Sequence, residues 1–178
     1  MQYKKEHVRS RILQAAKESF FNCGFYGSSI KDIALAAAVP VGNLYRYFDS
    51  KIALLDGVVK SCYERVIKRI AKEDEFSIES VLKHVGYEVS HSRTELIILA
   101  YKCGGTKYGD FLDKISHEVK LKVKSSLKNN EKSSLLDAIV TSTVVSIFEL
   151  IRNSYDKNLE ENISKLLAFM TKEINHII

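Results

Sequence analysis

The chain has 178 residues, 46% hydrophobic and 28% charged, the make-up of a folded, soluble protein with a core of its own. Cys23, Cys62 and Cys103 stand about forty residues apart, which excludes a zinc spacing or a disulfide framework and points to a reducing cytoplasm. Residues 1–72 carry 13 Lys and Arg against 6 Asp and Glu, a net of +7, whereas 73–178 carry 14 against 16, a net of −2, so a polyanion, nucleic acid before membrane, is the expected partner of the first part.

The opening MQYKKEHVRSR is charged, unlike the apolar core of a secretory signal. From Arg9 to Phe21, Ile12, Leu13, Ala16, Phe20 and Phe21 recur at the 3–4 spacing of a helix with one buried face. Gly24 suits its C-cap. Ser29, three residues before Asp32, predicts the N-cap of a second helix with Ile30, Ile33 and Ala34 inward. Pro40, the chain's one proline, ends that helix and is placed for the first turn of a third, running to about Phe48. Leu44 and Phe48, four apart, anchor it inward and leave the other side chains facing out. Asp49-Ser50-Lys51 breaks the pattern and starts a long fourth helix with Leu54, Leu55, Val58, Val59, Cys62, Val66 and Ile70 on one side. The acidic KEDE at 72–75 marks a domain boundary. Five further helices are expected at about 77–92, 94–103, 110–129, 133–154 and 159–177, with loops at 102–109 and 128–133. The apolar run at 138–151 is too short and too rich in Ser and Thr to predict a bilayer span. The expectation is therefore an all-α protein of about nine helices: a three-helix DNA-binding domain over 6–66, and a helical domain over 73–178.

A helix, a tight turn and a short second helix within twenty residues form a helix-turn-helix, here about 29–48, whose second helix enters the major groove of DNA. Gly42 lets backbone approach the duplex, Asn43 has the amide that pairs bidentately with adenine, and Val41 can meet a thymine methyl. Tyr45, Arg46 and Tyr47 carry donors for phosphates. Lys51 adds a cation beside helix-terminal N–H groups that favour anions.

Residues 9–55 resemble the DNA-binding domain of the TetR family of bacterial transcriptional repressors. The shared marks are I-L-x-A-A at 12–16, Phe20, the G-F/Y-x-x-[ST]-[ST] turn at 24–29, D-I-A at 32–34 and G-N-L-Y-R-Y-F-x-S-K at 42–51. The resemblance implies that Ser29 and Lys31 meet DNA, that Val41, Gly42, Asn43 and Tyr45 face bases, and that Arg46, Tyr47 and Lys51 face phosphates. Ala38 stands where the family usually has Gly, and a positive φ there costs about 1 kcal/mol. Pro40-Val41 replaces the usual Ser-Lys, removing a side-chain cap and a cation. The family's carboxy-terminal domain binds a small effector and dimerises through its last two long helices.

The later residues are compatible with that implication. Ile147 and Ile151 lie on a helix apolar on more than one side, and Leu159, Ile163, Leu166 and Met170 make a 3–4 seam on the last helix, so these six are the expected dimer interface. Phe76, Tyr87, Tyr101, Cys103, Phe111 and Phe148 are the expected effector pocket, one favouring a largely apolar compound, since Arg93 and Arg152 are the only arginines after residue 72. His84, Glu88 and His91, at i, i+4 and i+7, share a face, but without a second cluster they indicate no metal site. No nucleophile elbow, H-E-x-x-H or phosphate loop occurs, so neither catalysis nor a cofactor is expected. The expected protein is a cytoplasmic homodimeric repressor on a double-stranded DNA operator, released by a small effector and without a membrane. The rivals are a regulator of the same fold with no effector, and a helical interaction protein whose basic end binds RNA or an acidic partner.

Overall fold

The computed structural model describes residues 2–72, 77–126, 134–153 and 158–177. Among them every regular element is a helix: α1 Gln2–Gly27, α2 Ile30–Ala36, α3 Val41–Leu44, α4 Lys51–Lys72, α5 Ile78–Tyr101, α6 Phe111–Ser126, α7 Ser134–Asn153 and α8 Leu159–Ile177. The all-α expectation holds with eight helices, because the pair expected at 77–92 and 94–103 is one helix. Ser92 lies outside helical geometry (φ −145°, ψ 25°) and kinks α5 without ending it. Helix α1 begins seven residues before the expected Arg9, and Gly24, at φ 72°, turns its last residues away in a conformation that costs glycine nothing.

The helices sort into two compact units that do not follow the chain linearly. One unit comprises residues 1–64 and 94–109, the other 65–93 and 110–178. The expected division into 6–66 and 73–178 left the segment 94–109 with the second domain.

The first unit is built on Ile12, Ala16, Phe20, Ile33, Leu44, Leu54, Leu55 and Val59, all essentially without exposure. Their 3–4 spacing on α1 and α4 gives each helix one apolar stripe, and burying such a side chain contributes about 1.5–3 kcal/mol. Gly57 lets α4 come close: a Cβ there would lie 2.7 Å from Leu13 Cδ2 and 3.0 Å from Phe48 Cε1. The segment 94–109 is fastened to this unit by Lys17–Glu95 at 2.7 Å and Lys107–Asp56 at 2.6 Å. Tyr63 and Tyr108 pack edge to face at 5.1 Å, and the Phe25 N–H donates to the Lys102 carbonyl at 2.9 Å.

In the second unit α7 packs against both α6 and α8. Leu136, Val140, Val144, Ile147, Phe148 and Ile151 form its buried face, and Phe111 meets Phe148 edge to face at 5.8 Å. By length and composition alone α7, at 20 residues, is long enough to cross a membrane, contrary to the expectation that this stretch is too short. Its helix-packed face explains the apolar content equally well. Arg65 holds both Glu88 carboxylate oxygens, at 2.8 and 2.9 Å, and donates to Ser92 Oγ at 2.7 Å, so a charged pair ties the end of α4 to the kink in α5.

Candidate nucleic-acid interface

The helix-turn-helix is assembled by local chemistry. Ser29 sits in extended backbone (φ −117°, ψ 144°), accepts from the Asp32 N–H at 3.1 Å and donates from Oγ to Asp32 Oδ2 at 2.6 Å. This reciprocal cap starts α2 and seats Ile33 and Ala34 in the core. The helix ends in a Schellman motif: Val39 N–H reaches back to the Ala34 carbonyl at 3.0 Å and Ala38 N–H to Leu35 at 3.0 Å. The motif requires a left-handed residue, and Ala38 supplies it at φ 52°. The strain anticipated at this alanine is present.

Pro40 is the N-cap of α3, with no side-chain cap bond, and its carbonyl accepts from Asn43 and Leu44 N–H at 2.9 and 3.1 Å. The helix proper ends at Leu44, earlier than the expected Phe48, and Tyr45–Tyr47 continue as a hydrogen-bonded turn. Leu44 and Phe48 are buried, which turns the rest of the segment outward. Lys31, Val41, Gly42, Tyr45 and Arg46 are exposed, whereas Ser29, Asn43 and Tyr47 are half-buried. No atom outside its own helix lies within 4 Å of a Cβ added to Gly42, so the free fold does not require glycine there.

Lys51 has partners within the unit. Its ammonium donates to the Ser28 carbonyl at 3.0 Å and lies 4.6 Å from the centre of the Phe25 ring, so it braces the turn between α1 and α2. Ser50 Oγ caps α4 through the Ala53 N–H at 3.1 Å. Arg9, passed over in the sequence, stacks on Phe48 at 5.2 Å; its position one turn before Ile12 was the available signal.

The residues expected to form the effector pocket are distributed over the two units. Phe76 lies outside the described residues. Tyr101 and Cys103 belong to the first unit, and Tyr87, Phe111 and Phe148 to the second. Phe111 and Phe148 meet edge to face; Tyr87 is 44% exposed, stacked on His91 at 4.3 Å and under Arg69 at 5.0 Å. Burial pushes the Cys103 thiol up to about 12, outweighing a hydrogen bond with Thr106. It is protonated at neutral pH. Glu88, one of the three residues sharing the His84 face, gives both its oxygens to Arg65.

Of the residues expected at the dimer interface, Ile147, Ile151, Leu159 and Ile163 are buried inside the single chain. Leu166 and Met170 are half-buried, and Phe169, between them, is 60% exposed; on α7, Leu135 and Val145 are exposed too.

Residues 12–58 match the family model described as bacterial regulatory proteins, tetR family. The transcriptional regulator UidR of Escherichia coli K12 is 34% identical over 88 residues, which cover 46% of this chain and 45% of UidR. The chain thus spans about half the length of the curated relatives it matches. Among solved structures, a transcriptional regulator from Aquifex aeolicus aligns with a TM-score of 0.68 at 17% identity, covering 92% of this chain and 99% of that one. NalD of Pseudomonas aeruginosa, described as the secondary repressor of the MexAB-OprM multidrug efflux pump, aligns at 0.66 with 20% identity, covering 96% of both chains. At these identities the likeness is one of fold.

Proposed function

We propose, on the premise that this chain belongs by its amino-terminal domain to the tetR family of bacterial regulatory proteins, that it binds an operator in duplex DNA as a homodimer, in the cytoplasm, and is released by a small molecule. The observation that carries the reading is the outward set on one capped, buried-anchored segment: Val41, Gly42, Tyr45 and Arg46 exposed over Leu44 and Phe48. Asn43, Val41 and Gly42 are assigned to base edges, Arg46 and Tyr47 to phosphates, and Tyr45 to the groove wall. Ser29 and Lys31 meet the backbone or a base edge from the start of α2. Lys51 is assigned first to bracing the Gly24–Ser29 turn, with a phosphate as its second partner, since an ammonium has three donors.

Two recognition segments must meet two half-sites, so the dimer is part of the proposal. Its surface is drawn on the exposed apolar residues of α7 and α8, Val145 and Phe169 with Leu166 and Met170. The effector is assigned to the helical second unit, whose Phe111–Phe148 pair, in a stretch after residue 72 where Arg93 and Arg152 are the only arginines, favours a largely apolar compound. No catalytic role is assigned to any residue.

Selecting bound fragments from the source genome with the purified chain tests the DNA reading: enrichment of one two-fold symmetric motif supports it, and enrichment of none overturns it. Thermal-shift screening on the same protein tests the effector class. Apolar compounds should stabilise the chain and weaken its grip on the selected fragment through linkage. Tight binding of a sugar phosphate with no response to apolar compounds would overturn that class.

A further inference from the structure

Residues 2–11 lie ahead of the matched domain and continue α1 as QYKKEHVRSR, with four Lys and Arg and one Glu. Within this stretch Lys5 and Arg9, one turn apart, fall beside the stripe that continues as Ile12 and Ala16, both fully buried. The stripe itself runs on through half-buried Val8, and its start is flanked by the exposed cations Lys5 and Arg9. It is also fixed against the recognition segment, because the Arg9 guanidinium lies 5.2 Å from the centre of the Phe48 ring.

The charge pattern of the first unit sets these residues apart. Lys17, Lys60 and Lys107 are each matched to a carboxylate: Glu95, Glu64 and Asp56. Among the described residues no carboxylate pairs with Lys5, Arg9, Arg11, Lys31 or Arg46, all of them exposed. Lys31 and Arg46 belong to the helix-turn-helix, and the other three to the start of α1. From Ile12 back to Gln2 the helix extends by about 15 Å, at a rise of about 1.5 Å per residue. That reach matches roughly four phosphates of one strand at about 3.4 Å each.

We propose that Lys5 and Arg9 form a second backbone clamp, holding phosphates that flank the half-site read by α3, with Arg9 also fixing Phe48. This rests on the DNA-binding reading above and adds contacts outside the matched domain. Such contacts carry no base preference; they lengthen the footprint and steepen its salt dependence.

The test uses the full chain and two labelled duplexes: the selected two-fold symmetric motif alone, and the same motif extended by about six base pairs of unrelated sequence at each end, roughly 20 Å per flank. Anisotropy is measured from 0.05 to 0.2 M salt. The wild type is expected to bind the extended duplex more tightly, and Lys5→Gln with Arg9→Gln to lose that gain. Lys5→Gln alone, acting in both protomers, should reduce the slope of log K against log salt by about 1.8, so that its deficit shrinks about 12-fold across the range. Arg9→Lys should keep the slope. A doubly substituted chain with the wild-type slope and the wild-type gain from the flanks overturns the clamp while leaving the operator reading intact. A lower melting temperature for Arg9→Gln without a change in slope reduces Arg9 to a support for Phe48. If the wild type protects no duplex, the DNA reading itself fails, and the clamp with it.

Discussion

Replacing Ala38 by glycine should make the protein more stable, although it removes a side-chain carbon. Ala38 sits at φ 52°, where an L-residue with a Cβ is disfavoured by about 1–2 kcal/mol. Glycine relieves that strain but adds freedom to the unfolded chain, which costs about 0.5–1 kcal/mol. The methyl group is exposed, so its loss opens no cavity, and both backbone bonds of the turn, from Ala38 to Leu35 and from Val39 to Ala34, remain. The balance is a gain of about 0.5–1 kcal/mol, which for a chain of this size raises the melting temperature by about 1–4 °C. Thermal and urea unfolding measure it directly, with an unchanged m-value as the sign that the surface exposed on unfolding is the same. Ala38→Val should move the other way, since a β-branched residue is worse in the left-handed region. A glycine variant melting at or below the wild type would refute the strain assigned to this turn.

Gly42→Ala should leave the free fold as stable or raise it by about 0.5 kcal/mol, because its Cβ meets nothing, yet weaken operator binding; a variant with full affinity shows that DNA does not approach this backbone. Asn43→Ala should cost about 1–3 kcal/mol at one base position and relax the selected motif there, and an unchanged motif removes Asn43 from base reading. Lys51→Gln should lower the melting temperature as well as DNA affinity, since the bond to Ser28 and the contact with Phe25 go with it, whereas Arg46→Gln should lower the salt slope with no change in melting; the same melting temperature for both would refute the brace. Phe169→Glu should yield monomers by sedimentation at neutral pH, and a persistent dimer would place the interface elsewhere. Burial holds the Cys103 proton in the folded chain above the ordinary thiol value of 9.0, so its contribution to stability is fully present below pH 9 and declines as pH rises towards about 12; Cys103→Ala should flatten that decline, and an unchanged alkaline unfolding curve would contradict it.

What could be foreseen follows from what is local. The Ser29 cap, the strained residue at 38 and the proline opening of α3 are each set by three or four consecutive residues, and the sequence carries them in plain view. The start of α1 was missed because residues 2–7 have no apolar stripe, and the expected break near residue 93 became a kink because buried Leu96, Ile98 and Leu99 continue the helix. Non-local choices were beyond reach. Periodicity finds an apolar face but not its occupant: Ile151 and Ile163 are buried within the single chain, which their spacing does not reveal. The helix terminus and the family resemblance point Lys51 to phosphate, but neither reveals its bond to the Ser28 carbonyl, 23 residues away in sequence. The place of residues 94–109 in the first unit rests on Lys17–Glu95 and Phe25–Lys102, pairs that no window of sequence reveals.

The most direct measurement is a hydroxyl-radical footprint of the purified chain on a fragment it selects from its own genome. Two symmetric protected patches are predicted, their centres about 10–10.5 base pairs apart or a multiple of that spacing, as two copies of the Val41–Arg46 segment in successive major grooves require. Uniform protection along any duplex, or none at all, would contradict a sequence-reading dimer.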